Sequence, residues 1–181
     1  METKKQIRAR ILERRRNMSE KEWQEKNAAI ARRVITHPWF LQAEEIYCYV
    51  DYQREVSTKE IIEQAWISKK RVGVPRIDNC RMEFYYLTEF SQLEKGFCGI
   101  LEPKNCEMAN GRHPLVIMPG AVFDVQRHRI GYGGGFYDKY LETHTDCKTM
   151  ALAFSFQVEK AIPFEMHDIC PHMIITEEGI V

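Results

Sequence analysis

The stretch Met118 to Leu141, MPGAVFDVQRHRIGYGGGFYDKYL, constrains this 181-residue chain most. A short apolar run, Leu115 to Met118, leads into Pro119-Gly120, and a polar loop with Asp124, Arg127, His128 and Arg129 follows. Gly131-Tyr132-Gly133-Gly134-Gly135 comes next, ahead of a helix-like run from Phe136 to Leu141. Four of the ten glycines fall in these five positions. Glycines this dense expose backbone N–H groups and let a ligand approach the main chain. A helix opening directly behind them adds a dipole that favours anions. Arg129 supplies a charge-assisted donor for phosphate oxygens. Asp138, one turn into the helix, is a carboxylate placed to hold a metal beside a phosphate. Together these parts describe a nucleotide-phosphate site. The competing reading is a tight turn or hinge. The loop is neither G-x-x-x-x-G-K-[ST] nor G-x-G-x-x-G, so the two common nucleotide fingerprints do not apply.

The remaining chain alternates. Residues 2–17 read as a helix with Ile7, Ile11 and Leu12 near one face and arginines around the remainder. Ser19 is placed to cap a second helix, Ser19-Glu20-Lys21-Glu22 fits the capping-box pattern, and His37-Pro38 ends it. Strands are predicted at Ile46 to Val50, Arg71 to Val74 (stopped by Pro75), Met82 to Leu87, Leu115 to Met118, Met150 to Phe154 and Met173 to Thr176. A helix from Ser57 through Lys70 separates the first two, and residues 88–113 read as turns. The pattern predicts one α/β domain over 1–181, three-layered, with a mostly parallel central sheet flanked by helices, Rossmann-like. Ligands in such folds bind beyond the carboxyl ends of strands. Asp51 to Glu55, Pro119 to Gly135 and Phe156-Gln157 all follow strands, so all three are expected to line one cleft.

Charge and cysteines narrow the class. Net charge is zero, with 26 basic and 26 acidic residues, but residues 4–16 hold Lys4, Lys5, Arg8, Arg10, Arg14, Arg15 and Arg16 against Glu13. Such a start suits a phosphate ligand, an anionic surface or RNA; confinement to one helix argues against RNA. No apolar run reaches the ~20 residues of a membrane span, and the N-terminus is too charged for a secretory signal. Six scattered cysteines without C-x-x-C spacing read as reduced thiols of a cytoplasmic protein.

PGAVFD followed by RIGYGGGFYDKYL resembles the signature of the 5-formyltetrahydrofolate cyclo-ligase (methenyltetrahydrofolate synthetase) family, roughly P-G-x-x-F-D-x-x-G-x-R-L-G-x-G-x-G-[YF]-Y-D. Lys4-x-x-x-Arg8, Glu55, Gly99-Ile100-Leu101-Glu102-Pro103 and the Ala-Leu-Ala-Phe run at 151–154 extend the likeness along nearly the whole chain. The resemblance implies ATP-dependent cyclisation of 5-formyltetrahydrofolate to 5,10-methenyltetrahydrofolate, with Mg²⁺ as cofactor and a monomer as the working form. It implies that Lys4, Arg8, Arg129, Ile130, Gly131, Tyr132, Gly133, Gly134, Gly135, Phe136 and Tyr137 bind ATP. Val50, Glu55, Tyr132 and Phe136 would bind the folate, Asp138 the metal, and Arg129 and Tyr137 would act in catalysis.

Bland readings stand beside these. Lys4 and Arg8, four apart on one side of a helix, form either an anion clamp or a solvated basic face; Arg14 is a lesser member of that cluster. Glu55 either accepts the pterin's paired N–H donors or caps the helix near Ser57. Tyr132, Phe136 and Tyr137 either sandwich a flat ring or pack inward, and at least one of Phe136 and Tyr137 is expected to do so. His128 reads as a solvated loop histidine. Three departures from the family pattern stand out: Arg127 replaces a glycine, and Cys98 an aromatic. His172 occupies what looks like the place of a second metal aspartate, with Asp168 four residues early.

Overall fold

The computed structural model describes residues 2–165 and 168–181. A six-stranded sheet forms its centre. Its strands are β1 (Glu45–Cys48), β2 (Arg71–Asp78), β3 (Arg81–Tyr86), β6 (Leu115–Met118), β9 (Lys148–Leu152) and β11 (Met173–Ile175). They run in the order β11-β9-β6-β1-β2-β3, all parallel except β3, which pairs antiparallel with β2. The hairpin β4 (Leu93–Lys95) and β5 (Leu101–Pro103) stands apart from it. A small sheet of β7 (Val122–Asp124), β8 (Arg129–Ile130) and β10 (Val158–Glu159) continues the chain after β6. Among the described residues the α-helices are α1 (Lys4–Arg16), α2 (Glu20–Ile35), α3 (Pro38–Gln42), α4 (Lys59–Ile67) and α5 (Phe136–Thr143).

The sheet is mixed and mostly parallel, as the alternation predicts. Its five parallel strands, counted in chain order, lie 2-1-3-4-5, a doubly wound order distinct from the 3-2-1-4-5-6 of the dinucleotide-binding fold. The chain leaves β1 toward β2 on one side and builds β6, β9 and β11 on the other. The switch point therefore lies between β1 and β6, the place where folds of this kind bind ligands beyond the carboxyl ends of the strands. The loop that leaves β1 carries Glu55, and the chain that leaves β6 runs through β7 and β8 to the glycine run.

Apolar residues explain the elements. Leu115 to Met118 is buried at every position, as a strand covered on both faces must be. Tyr47 of β1 stacks on Phe84 of β3 at 4.9 Å, and Phe84 meets Tyr140 of α5 edge-on at 5.0 Å. The Tyr47 ring lies over Gly73 of β2, where an added Cβ would fall 2.8 Å from a ring carbon. Gly73→Ala is expected to force that ring aside and cost about 1–3 kcal/mol, the usual penalty of overpacking, measured by denaturant unfolding. α1 is mostly charged and buries only Ile7, Ile11 and Arg15. Its isoleucines join Ala121, Val122, Ile130 and Ile162 in a second core under the small sheet.

Several boundaries differ from the sequence reading, each for a physical reason. Pro75 does not stop β2. It sits opposite Phe84, whose carbonyl accepts from Ala109 rather than from β2. The Pro75 nitrogen thus faces the β1 side, past the last residue β1 pairs, where no donor is needed. α4 begins after Thr58 and ends at Ile67, and Asp51 rather than Ser57 serves its start by accepting from the Thr58 N–H at 2.9 Å. Pro38 closes nothing by itself: α2 ends at Ile35, and Pro38 opens α3 behind a His37 cap. Residues 88–113 contain the β4–β5 hairpin. Glu102 pins it by accepting from the Ile77 N–H at 3.3 Å, and burial raises the pKa of that carboxyl. No described helix is long and apolar enough to cross a membrane.

Candidate active site

The glycine run forms a loop between β8 and α5. Gly133 and Gly135 adopt φ of +109° and +62°, a region that favours glycine, and Gly135 is the N-cap of α5 without a side-chain bond. The first turn of α5 therefore leaves backbone donors free of any side-chain cap. Arg129, on β8, is buried and gives one guanidinium nitrogen to both Asp138 oxygens at 2.9 and 2.8 Å. Its Nε is buried without a partner. Arg129 and Asp138 are thus brought together as predicted, but as a pair with each other.

One seam of α1 meets this loop. Lys4 donates to Asp168 at 2.8 Å and Glu165 at 3.1 Å. Burial lowers its ammonium pKa, but those carboxylates outweigh burial and the pKa rises. Arg8 donates to the Gly131 carbonyl at 3.2 Å. The solvated-face reading fails for both residues: Arg8 reaches the glycine loop, and Lys4 the segment that holds Glu165 and Asp168. Arg14 lies over the Phe156 ring at 4.5 Å instead. The buried member of the basic run is Arg15, whose Nη1 donates to the Tyr132 hydroxyl at 2.7 Å.

Glu55 is buried rather than a surface cap. Its Oε2 accepts from the Tyr52 N–H at 2.8 Å, and the Tyr132 hydroxyl also favours its charged form. Burial raises its pKa, while Tyr132, Arg15 and the Tyr52 amide pull it back toward the charged form. Tyr132 itself keeps an open ring and an enclosed hydroxyl. Tyr137 is the member of the Phe136-Tyr137 pair that packs inward, and its hydroxyl is buried without a partner. Burial holds that phenol well above its ordinary pKa, so it stays a donor. Phe136 meets Phe97 edge-on at 5.9 Å, with Tyr52 and Phe97 exposed and Val50 half-buried. Cys98 is exposed at φ 54°, and the neighbouring Phe97 supplies an aromatic one residue earlier than the family pattern.

The turn before Arg129 survives the loss of its glycine. Arg127 takes φ 69° there, at a steric cost of about 1 kcal/mol. Arg127→Gly is expected to leave activity intact and raise stability by up to about 1 kcal/mol, read from the denaturation midpoint. Asp124 holds the turn, accepting from the N–H groups of Gln126 and His128 at 3.0 Å each and from Ile162 at 3.2 Å. His128 is not solvated: its Nδ1 lies 2.9 Å from Asp124, and its ring stacks on Phe164 at 3.7 Å. Gln157 lines no cleft but donates to the Gly120 and Ala121 carbonyls, bolting the loop after β6 in place.

His172 is not a second metal position. It bonds Thr149 at the amino ends of β9 and β11 and faces Trp39. Asp168 is the better placed residue, because its neighbour Ile169 donates from its N–H to Asp138 at 3.1 Å. No group of three or more His, Cys, Asp or Glu ligands exists among the described residues. Mg²⁺ commonly rests on one or two carboxylates, with phosphate and water filling its octahedron. Asp138 with Asp168 beside it fits that donor set.

Comparison with known proteins identifies the family. The model of the 5-formyltetrahydrofolate cyclo-ligase family matches residues 1–177. The 5-formyltetrahydrofolate cyclo-ligase of Mus musculus is 30% identical over 97% of this chain and 94% of its own length. That of Escherichia coli strain K12 is 29% identical over 94% and 98%. The NMR structure of 5,10-methenyltetrahydrofolate synthetase from Aquifex aeolicus superposes with a TM-score of 0.86, at 25% identity, over 98% of this chain and 91% of that one. The chain therefore belongs to the 5-formyltetrahydrofolate cyclo-ligase family and is an enzyme.

Proposed function

We propose that this chain catalyses ATP-driven cyclisation of 5-formyltetrahydrofolate to 5,10-methenyltetrahydrofolate, releasing ADP and phosphate. One observation carries the reading: a buried carboxylate, Glu55, and an arginine-backed glycine loop are brought together at Tyr132, which Arg15 holds at 2.7 Å. A pterin needs the first and a triphosphate the second. Lys4, Arg8, Arg129 and the amides of residues 130–137 hold the phosphates. Lys4 and Arg8 exchange their present oxygen partners, Asp168, Glu165 and the Gly131 carbonyl, for phosphate oxygens. Glu55 accepts the pterin N–H donors, and Val50, Tyr52, Phe97 and Phe136 flank the rings.

The formyl oxygen is a poor leaving group. It attacks the γ-phosphorus and displaces ADP. N10 then attacks the activated carbon, phosphate departs with the former formyl oxygen, and N10 gives up its proton. The protein positions two substrates and neutralises charge. The Tyr137 hydroxyl, protonated and unpartnered, donates to an oxygen of the reacting group. Asp138 and Asp168 would hold Mg²⁺, which supplies neutralisation of phosphate charge when bound. One chain carries every group named, so no second copy is required.

The test is absorbance on mixing protein, 5-formyltetrahydrofolate, ATP and Mg²⁺, because the conjugated amidinium product absorbs to the red of the substrate. A rise that requires ATP supports the reading. A rise without nucleotide, or none from folded protein that binds ATP, sinks it.

A further inference from the structure

We infer that Arg15 is a positioning residue for the folate: through the Tyr132 hydroxyl it holds Glu55 in place, so that nucleotide loop and pterin pocket form one unit. The inference rests on the function proposed above. Arg15 lies on the same face of α1 as Ile7 and Ile11, spaced four residues apart, and that face is the buried one. Its exposure is 4%, and a buried guanidinium is costly unless an anion is near. Its charge favours the carboxylate of Glu55, and the Tyr132 hydroxyl interacts with both groups. Arg15 donates to that hydroxyl at 2.7 Å, and its guanidinium carbon lies 5.6 Å from the ring centroid. The chain Arg15–Tyr132–Glu55 thus runs from α1, through the glycine loop, to the loop after β1.

The surroundings of Glu55 show what the relay does. Asp51 and the phenols of Tyr49 and Tyr137 face this region without offering it a positive charge. Burial and Asp51 favour the neutral carboxyl; Tyr132, Arg15 and the Tyr52 N–H favour the carboxylate. Arg15 is a cation that favours the charged form of Glu55. A charged, oriented carboxylate is what paired N–H donors require. The same helix fixes the loop a second time, seven residues earlier, where Arg8 holds the Gly131 carbonyl next to Tyr132. A loop fastened at both residues brings its hydroxyl to Glu55 in one geometry.

Steady-state kinetics on wild type, Tyr132→Phe, Arg15→Gln, Arg15→Lys and the double variant Arg15→Gln/Tyr132→Phe test this, with thermal melting of each. Tyr132→Phe and Arg15→Gln are each expected to raise KM for 5-formyltetrahydrofolate about 10- to 100-fold, the loss of one hydrogen bond to a charged group. KM for ATP stays within about threefold. The double variant is no worse than the weaker single one, because both act through one chain. In Arg15→Gln the acid limb of kcat/KM for the folate moves to higher pH, since Glu55 without its cation takes up a proton more readily. Arg15→Lys recovers part of the loss. Additive effects, an unchanged folate KM with only a lowered melting temperature, or an equal rise in both KM values would overturn the inference. Should Arg15→Gln fail to fold, Tyr132→Phe decides alone by the same KM comparison. Wild-type protein without ATP-dependent turnover would instead remove the proposed function, and this inference with it.

Discussion

Replacing Arg129 by alanine is expected to lower kcat/KM for ATP roughly 100- to 1,000-fold, the typical effect of deleting one preorganised donor that meets developing charge. The side chain is fixed before any ligand arrives: β8 pairs with β7, Ile130 is anchored beneath α1, and Asp138 holds the guanidinium with both oxygens. Alanine leaves the Asp138 carboxylate with the Ile169 N–H and no cation from β8. Because Asp138 is partly open to water, the stability loss is modest, about 1 kcal/mol. Arg129→Lys keeps the charge but not the planar fork, and an intermediate rate is expected. Kinetics at saturating folate with varied ATP, beside a melting curve, separate the two effects. Wild-type kcat/KM for ATP in Arg129→Ala would remove Arg129 from the phosphate site.

Asp124→Asn is expected to be the most destabilising single change described, by about 3 kcal/mol, or roughly a 10 °C fall in melting temperature for a chain of this size. The carboxylate accepts from three backbone N–H groups and pairs with His128 while almost wholly buried. An amide offers one oxygen and turns two new donors toward partners that are themselves donors. Burial alone would raise the Asp124 pKa, but the His128 bond and the backbone donors outweigh it and lower the pKa. A lowered carboxylate pKa stabilises the fold above the unfolded value, near 4, and that contribution fades as pH falls through the folded value. Wild-type stability should therefore drop below about pH 4, and the drop should be shallower in Asp124→Asn. Equal slopes for the two proteins in acid denaturation would contradict this.

Much of the site was readable from residue types and spacing. The strand Leu115–Met118, the proximity of Arg129 to Asp138 and the inward packing of one of Phe136 and Tyr137 all match; the contact of Arg8 with the glycine loop was expected from the family resemblance, not from the residues alone. Arg15 was not read because arginine is normally solvated, yet its place four residues after Ile11 was the available signal. His172 stands, by spacing along the sequence, where the family shows a second metal aspartate. The backbone instead brings Ile169, beside Asp168, to Asp138. The small sheet was illegible for a simpler reason: strands of two and three residues show no alternation. Pro75 misled because a proline ends only a strand whose ladder needs its N–H.

The most direct measurement follows the formyl oxygen. With 5-formyltetrahydrofolate labelled with heavy oxygen in the formyl group, turnover in ordinary water with ATP should place the label in inorganic phosphate, read by mass spectrometry. Label in the phosphate shows that this oxygen was phosphorylated before it left, as the proposed sequence of steps requires. Unlabelled phosphate beside a formed methenyl product would mean that the oxygen departs as water, and the activation step proposed for Arg129, Tyr137 and the glycine loop would be wrong.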